Sequence, residues 1–188
     1  MKKRLKDIVL YSNSRKPISE VTLDNYVTTD NLLQNKKGKT TADSLPPNAT
    51  TTMSYDENNI LISNIRPYLK KIWFADRSGG NSADVLVLKV KESYNPEYIY
   101  YSVFQDCFFE HMMLGAKGTK MPRGDKNQIL NYKLFVPSWE EQNSIAKVLS
   151  NLDSKIELNN QINQQLEEMA KTIYDYWFVQ FDFPDEEG

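Results

Sequence analysis

Few side chains in this sequence could carry nucleophilic or metal chemistry. The single histidine, His111, follows the single cysteine, Cys107, by four residues, which puts both on neighbouring turns of one helix. A Cys/His nucleophile pair would need such proximity, yet two groups so placed on an amphipathic helix ordinarily pack, and packing is the expectation here. A zinc site takes about four ligands, and this pair has no evident companions. No Gly-rich turn between strand and helix is present to cradle a phosphate, and no Asp followed by a spaced Glu-x-Lys suggests a nuclease. Catalysis by this chain alone is therefore not expected, and no cofactor is assigned to it.

Asn95-Pro96-Glu97-Tyr98 resembles the Asn/Asp-Pro-Pro-Tyr motif of amino-methyltransferases, but Glu97 replaces the second proline and no nucleotide-binding turn precedes it. Helix initiation, with Asn95 as cap and Pro96 at the first helical position, accounts for the same residues.

Residues suited to binding a polyanion are more plentiful. In Asn64-Ile65-Arg66-Pro67-Tyr68-Leu69-Lys70-Lys71, Arg66 could fork onto guanine and Asn64 onto adenine, while Lys70 and Lys71 suit phosphate and Tyr68 adds an aromatic surface. The stretch from Gly115 to Lys126 carries Lys117, Thr119, Lys120, Arg123 and Lys126 among three glycines, so its backbone can approach a phosphate chain closely. Lys36-Lys37-Gly38-Lys39-Thr40-Thr41 is also basic and reads as a solvated excursion. Charge is divided along the chain. Residues 1–139 hold 20 Lys+Arg against 14 Asp+Glu, a net +6, whereas 140–188 hold 3 against 11, a net −8. A basic part with an acidic extension implies an anionic partner for the first and a separate task for the second.

The elements that must position these residues form an α+β domain over 1–139, a long helix over 140–178 and a tail over 179–188. Asn59 to Ile62, Lys70 to Ala75 and Asp84 to Val90 read as strands. One helix starting at Asn95-Pro96 places Ile99, Val103, Cys107 and Phe108 on its apolar face, and Ser44 to Asn48, Ser78 to Ser82 and Gly115 to Gly124 read as loops. After Pro137, Ser138 and Glu141 form a capping-box pattern, and no Gly or Pro interrupts the chain before Pro184. Alternating steps of four and three pick out a heptad seam of Ile145, Leu149, Leu152, Ile156, Asn159, Asn163, Leu166, Ala170, Ile173 and Trp177. A helix from Glu140 to Tyr176 is about 55 Å long, more than the preceding domain can cover, so the seam requires a partner helix. The seam asparagines can set register by pairing across that interface. No apolar run approaches the roughly 20 residues of a membrane span, and the short apolar stretch after the basic N-terminus is no signal core, so a cytoplasmic location is expected.

Three stretches resemble type I restriction-modification specificity subunits: Tyr26 to Leu33 (YVTTDNLL), Ile60 to Lys71 (ILISNIRPYLKK), and Gly118 to Asp125 (GTKMPRGD) with the later Val136 to Ala146 (VPSWEEQNSIA). The closing Tyr174 to Pro184 (YDYWFVQFDFP) is similar to the far end of that family's helical region. The resemblance implies a target-recognition domain that reads one half of a split site in double-stranded DNA, and a helix that sets the distance to the other half. It also implies partners: methyltransferase subunits that hold S-adenosylmethionine and methylate adenine, and a motor-nuclease restriction subunit that cuts. A complete member carries two recognition domains and two antiparallel helices. One of each here implies either a half-subunit that forms a homodimer or one half that pairs within a longer chain. Two other readings stand beside this one. In an interaction adaptor the helix would be the working part, and a stand-alone methyltransferase would bind S-adenosylmethionine itself.

Overall fold

In the computed structural model, which describes residues 1–180, most of the chain is organised around a four-stranded antiparallel sheet. Its strands are β2 (Val9–Tyr11), β6 (Ile60–Ser63), β7 (Ile72–Phe74) and β9 (Val85–Val90), in the order β2-β9-β6-β7. β6 and β9 are apolar in consecutive positions because both sheet faces are covered. Ile60, Ile62, Leu86 and Leu88 pack against helices, and Leu61, Val85 and Val87 meet Val27, Leu32, Tyr55 and Ala75 on the other side. The three strands expected from sequence are β6, β7 and β9.

A second four-stranded sheet comprises β3 (Arg15–Pro17), β5 (Thr51–Tyr55), β8 (Gly79–Asn81) and β4 (Tyr26–Val27), with β4 and β8 parallel. β8 corrects the loop expected over Ser78 to Ser82. Gly79 and Gly80 are buried sheet residues: a Cβ on Gly79 would overlap the Asn25 carbonyl oxygen, and one on Gly80 would lie 2.7 Å from Thr52 Cγ2. Glycine serves here for close approach within a sheet. A two-stranded pairing of β1 (Lys2–Arg4) with β10 (Lys133–Phe135) joins the chain start to the segment before the long helix.

The helical layer consists of α1 (Leu5–Ile8), α2 (Pro96–Val103), α3 (Asp106–Leu114) and α4 (Lys126–Leu130). Asn95 caps α2 as expected, its side chain accepting from Tyr98 N at 2.8 Å. The single helix expected beyond it is broken at Gln105, whose backbone is extended. The physical reason is packing. Phe108 lies nine residues after Ile99, so a continuous helix would turn it about 180° away from that residue's face; the break lets Ile99, Phe108, Phe109 and Met112 enter one core. Cys107 is consequently exposed, with Sγ 3.1 Å from Tyr132 Oη, and His111 Nε2 lies 2.8 Å from the Gln128 carbonyl. Both engage in local packing contacts. Among the described residues no group of three or more His, Cys, Asp or Glu could hold a metal ion, and no helix is long and apolar enough to cross a membrane.

α5 (Trp139–Tyr174) follows the expected capping box: Ser138 N donates to Glu141 Oε2 at 2.9 Å, and Glu141 N donates to Ser138 Oγ at 3.4 Å. A wider π-type turn continues over Asp175–Val179. The chain divides into compact units of residues 1–146 and 147–188, so the first turns of α5 belong to the globular unit. There Gln142 and Ala146 are buried, and Gln142 Oε1 accepts from Asn95 N at 3.1 Å. The tail assigned to 179–188 lies, from 181 onward, outside the described residues.

Candidate nucleic-acid interface

The two basic segments singled out in the sequence meet. The first connects β6 to β7 and the second connects α3 to α4. Arg66 N donates to the Pro122 carbonyl at 2.8 Å and Gly124 N donates to the Asn64 carbonyl at 3.0 Å, with Ile65 bridged to Arg123. Lys117 and Arg123 exchange backbone hydrogen bonds of 3.0 and 2.9 Å, which folds the second segment back on itself. Gly124 permits the join: a Cβ there would lie 2.9 Å from Asn64 Oδ1. Asp125 anchors the exit by capping α4, accepting from Asn127 N and Gln128 N, and these hydrogen bonds hold its carboxyl below the usual range.

Within the first segment, Pro67–Leu69 forms a 3-10 turn flanked by two left-handed residues, Arg66 (φ 51°) and Lys70 (φ 51°). Left-handed backbone costs a residue with a Cβ on the order of 1–2 kcal/mol, and such strain tends to concentrate where a binding surface is held in a set shape. α3 packs against this turn. The turn presents the Arg66 guanidinium to solvent, without a hydrogen bond or ion pair among the described residues, beside the half-exposed ring of Tyr68.

Several nominated side chains are buried or already contact protein groups. Asn64 Oδ1 is buried without a hydrogen-bond partner. Lys70 lies 2.8 Å from Asp106, whose other oxygen lies 2.7 Å from Lys36. The hydrogen bonds from Lys36 and Lys70 lower the Asp106 carboxyl to about 2. Lys71 Nζ donates to the Thr29 carbonyl; burial lowers its pKa, and Asp30 partly opposes this. Arg123 lies 2.9 Å from Asp84. In this conformation these four are engaged within the protein and shape the surface around Arg66. Lys117, Thr119 and Lys120 remain exposed, Lys117 being only loosely paired at 3.9 Å with Asp125, and Lys126 lies over the Tyr11 ring. The Lys36 tract is likewise docked rather than solvated: Lys39 donates to the Asp24 carbonyl and lies over Trp73. Sequence reasoning missed the carboxylates Asp84 and Asp106 and the Thr29-Asp30 segment, which lines a small pocket with Arg66, Lys71 and Met121. Only tertiary proximity identifies them.

On the helix, the spine residues Ile145, Leu152, Leu166 and Ile173 are exposed, as are Ile156, Asn159, Asn163, Ala170 and Trp177, while Leu149 is half-buried. Val148, Ile162 and Met169 are exposed beside the same spine, so the apolar stripe has a second flank that the heptad count omitted.

A sequence model for the type I restriction modification DNA specificity domain matches residues 1–168. The chain belongs to that family. It is 30% identical over 132 residues to the type I restriction enzyme HindI specificity subunit of Haemophilus influenzae, a match covering 67% of this chain and 29% of that protein. It is 32% identical over 98 residues to the MjaIX specificity subunit of Methanocaldococcus jannaschii, covering 52% and 23% respectively. In fold it is similar to the type I S subunit of M. genitalium, with a TM-score of 0.68 at 14% identity over 97% of this chain and 46% of that one. The HsdS subunit of Thermoanaerobacter tengcongensis gives 0.62 at 18% identity, over 100% and 50%. This chain thus spans less than a third of these curated relatives and about half of the solved subunits. The shared architecture is the mixed α/β domain followed by the long helix.

Proposed function

We propose that this chain reads one half of a split site in duplex DNA and contributes no chemistry of its own, directing methyltransferase subunits that carry S-adenosylmethionine and, through the assembly, a restriction subunit. The observation that carries this reading is the joined pair of loops, in which Arg66, itself left-handed, stands free at the start of a 3-10 turn while Arg123 and Lys70 pair with Asp84 and Asp106. A guanidinium so positioned suits bidentate contact with guanine, whereas Lys117 and Lys120, on an exposed loop, suit phosphate. α5 then supplies a pairing surface, either for a second copy or for a second half of a longer subunit, in a cytoplasmic complex.

The test is DNA affinity measured across salt concentrations on cognate and altered duplexes. Arg66→Ala is expected to relax discrimination at one base pair by about 1–3 kcal/mol, and Lys117→Ala with Lys120→Ala to weaken all sequences together and reduce the salt slope by about one for each lost phosphate contact. Uniform weakening by both changes would refute the assignment of Arg66 to base readout. Affinity indifferent to salt would favour the interaction adaptor.

A further inference from the structure

The small pocket beside Arg66 holds a second unpaired charge. Its volume is about 80 Å³, and Asp30 and Arg66 both line it, with Ile65, Leu69, Lys71 and Met121 around them. Both are exposed residues, and among the described residues neither forms an ion pair with the other or with any other group. The turn that carries Asp30 is fixed. Thr28 N donates to Asn31 Oδ1 at 2.7 Å and Asp30 N donates to Thr28 Oγ1 at 3.1 Å, while the buried Asn31 amide donates to the carbonyls of Tyr26 and Thr40 at 2.9 and 2.8 Å. Val27 and Leu32, on either side, are core residues. Lys71 Nζ, by donating to the Thr29 carbonyl, ties this turn to the residue that closes the Arg66 loop just before β7. The carboxylate and the guanidinium are thus presented together from two joined segments, each with its hydrogen-bonding capacity unspent.

A carboxylate on a surface that meets DNA is repelled by phosphate, and it opposes binding unless a donor meets it there. On base edges in the major groove the donors are N4 of cytosine and N6 of adenine. Adenine sets its N7 acceptor beside N6, an arrangement that suits an amide and repels a carboxylate. A guanine paired with cytosine presents N7, O6 and then N4, which is acceptor, acceptor, donor; a forked guanidinium beside a carboxylate is its complement. We infer that Asp30 is a specificity-determining residue whose carboxylate accepts a hydrogen bond from N4 of the cytosine paired with the guanine that Arg66 forks. The inference rests on the base readout by Arg66 proposed above. Reversing the base pair would set O6 against Asp30 and N4 against Arg66, acceptor on acceptor and donor on donor, so the two side chains also reject the flipped pair.

The experiment selects bound sequences from a randomised duplex pool with the full-length chain and its Asp30→Ala, Asp30→Asn and Arg66→Ala variants, then measures affinity on the selected duplex. The wild type is expected to select a G·C pair at which Asp30→Ala and Arg66→Ala each lose about tenfold in discrimination. Asp30→Ala should bind unrelated duplexes at least as tightly as the wild type, because a charge that repels phosphate has gone. Replacing the cytosine of that pair by a 2-pyrimidinone nucleotide, which lacks the N4 amino group, should weaken the wild type about tenfold more than it weakens Asp30→Ala. Asp30→Asn keeps an accepting oxygen and should remain sensitive to that replacement. Equal losses by wild type and Asp30→Ala on the pyrimidinone duplex, or undiminished discrimination by Asp30→Ala, overturn the inference; relaxation of the pair by Arg66→Ala would leave the Arg66 reading standing. Relaxation by Asp30→Ala at an A·T pair overturns the assignment to cytosine. A wild-type chain that selects no sequence refutes base readout by Arg66, and the inference with it.

Discussion

Replacing Leu152 and Leu166 by Asp tests the pairing surface most directly. Both are about half exposed, at 51% and 57%, so each has roughly half of its side chain left to bury. Full burial of a leucine contributes about 1.5–3 kcal/mol, so half contributes about 0.8–1.5 kcal/mol, and a symmetric dimer contains four such residues. Loss of about 3–6 kcal/mol follows before any charge is counted, a dimer constant raised about 10²- to 10⁴-fold. The charges add to this, since Asp at 152 faces Asp at 166 in the antiparallel register and neither has a counter-ion. Leu152→Lys with Leu166→Asp removes the same apolar area but sets opposite charges across the interface, and should bind about tenfold more tightly than the Asp/Asp pair. In a parallel pair like charges would meet at both positions and no recovery would occur. Sedimentation over a dilution series distinguishes these cases. An Asp/Asp variant that sediments as the wild type shows the wrong face was chosen, and equal weakening by both variants refutes the antiparallel register.

Other outcomes follow from the globular unit. Gly79→Ala forces a methyl group onto the Asn25 carbonyl, a backbone atom that cannot turn aside, and should cost about 3 kcal/mol, lowering Tm by about 6–12 °C; an unchanged melting curve would show that β8 is not packed as described. The Asp106 carboxyl should titrate near 2 rather than in the ordinary carboxylate range, and should move upward when Lys36 and Lys70 are both replaced by Met, as followed by carboxyl NMR shifts. Because its pKa is depressed by folding, the stabilisation from this cluster is fully present above the unfolded value near 4 and is lost as pH falls through about 2. Acting as a homodimer with one methyltransferase partner, the chain should direct methylation to an interrupted palindrome; a short continuous target, found by methylation mapping, would contradict the spacing role of α5.

The parts of this fold that rest on local periodicity were legible in the sequence. β6 and β9 stand out because sheets covered on both faces need continuous apolar runs, and α2 and α5 announce their starts through Asn95-Pro96 and Ser138/Glu141. What was not legible depends on partners distant in sequence. The Gly79-Gly80 pair looks like a turn until Asn25 and Thr52 are seen against it, and no residue between Phe104 and Asp106 signals the break that turns Phe108 inward. The loops at 64–71 and 115–126 were identified from their composition, but sequence could not show that Asp84 and Asp106 pair with Arg123 and Lys70 while Arg66 stays exposed and unpaired among the described residues.

The pairing of β1 with β10 also bears on how the molecule acquires its structure. Lys2 aligns with Phe135, so nearly the whole globular unit lies inside the loop that this contact closes. Contacts of such sequence separation form late, because their closure entropy must be met before they contribute stability. During synthesis the first strand has no partner until residues 133–135 have left the ribosome, and the basic N-terminus remains unpaired until then. The helix that follows needs only local hydrogen bonds, which form within about a microsecond. Completion of the globular unit therefore coincides with emergence of the base of α5, and a slow folding phase sensitive to changes in β1, but not to changes at the far end of α5, is the kinetic signature of that order.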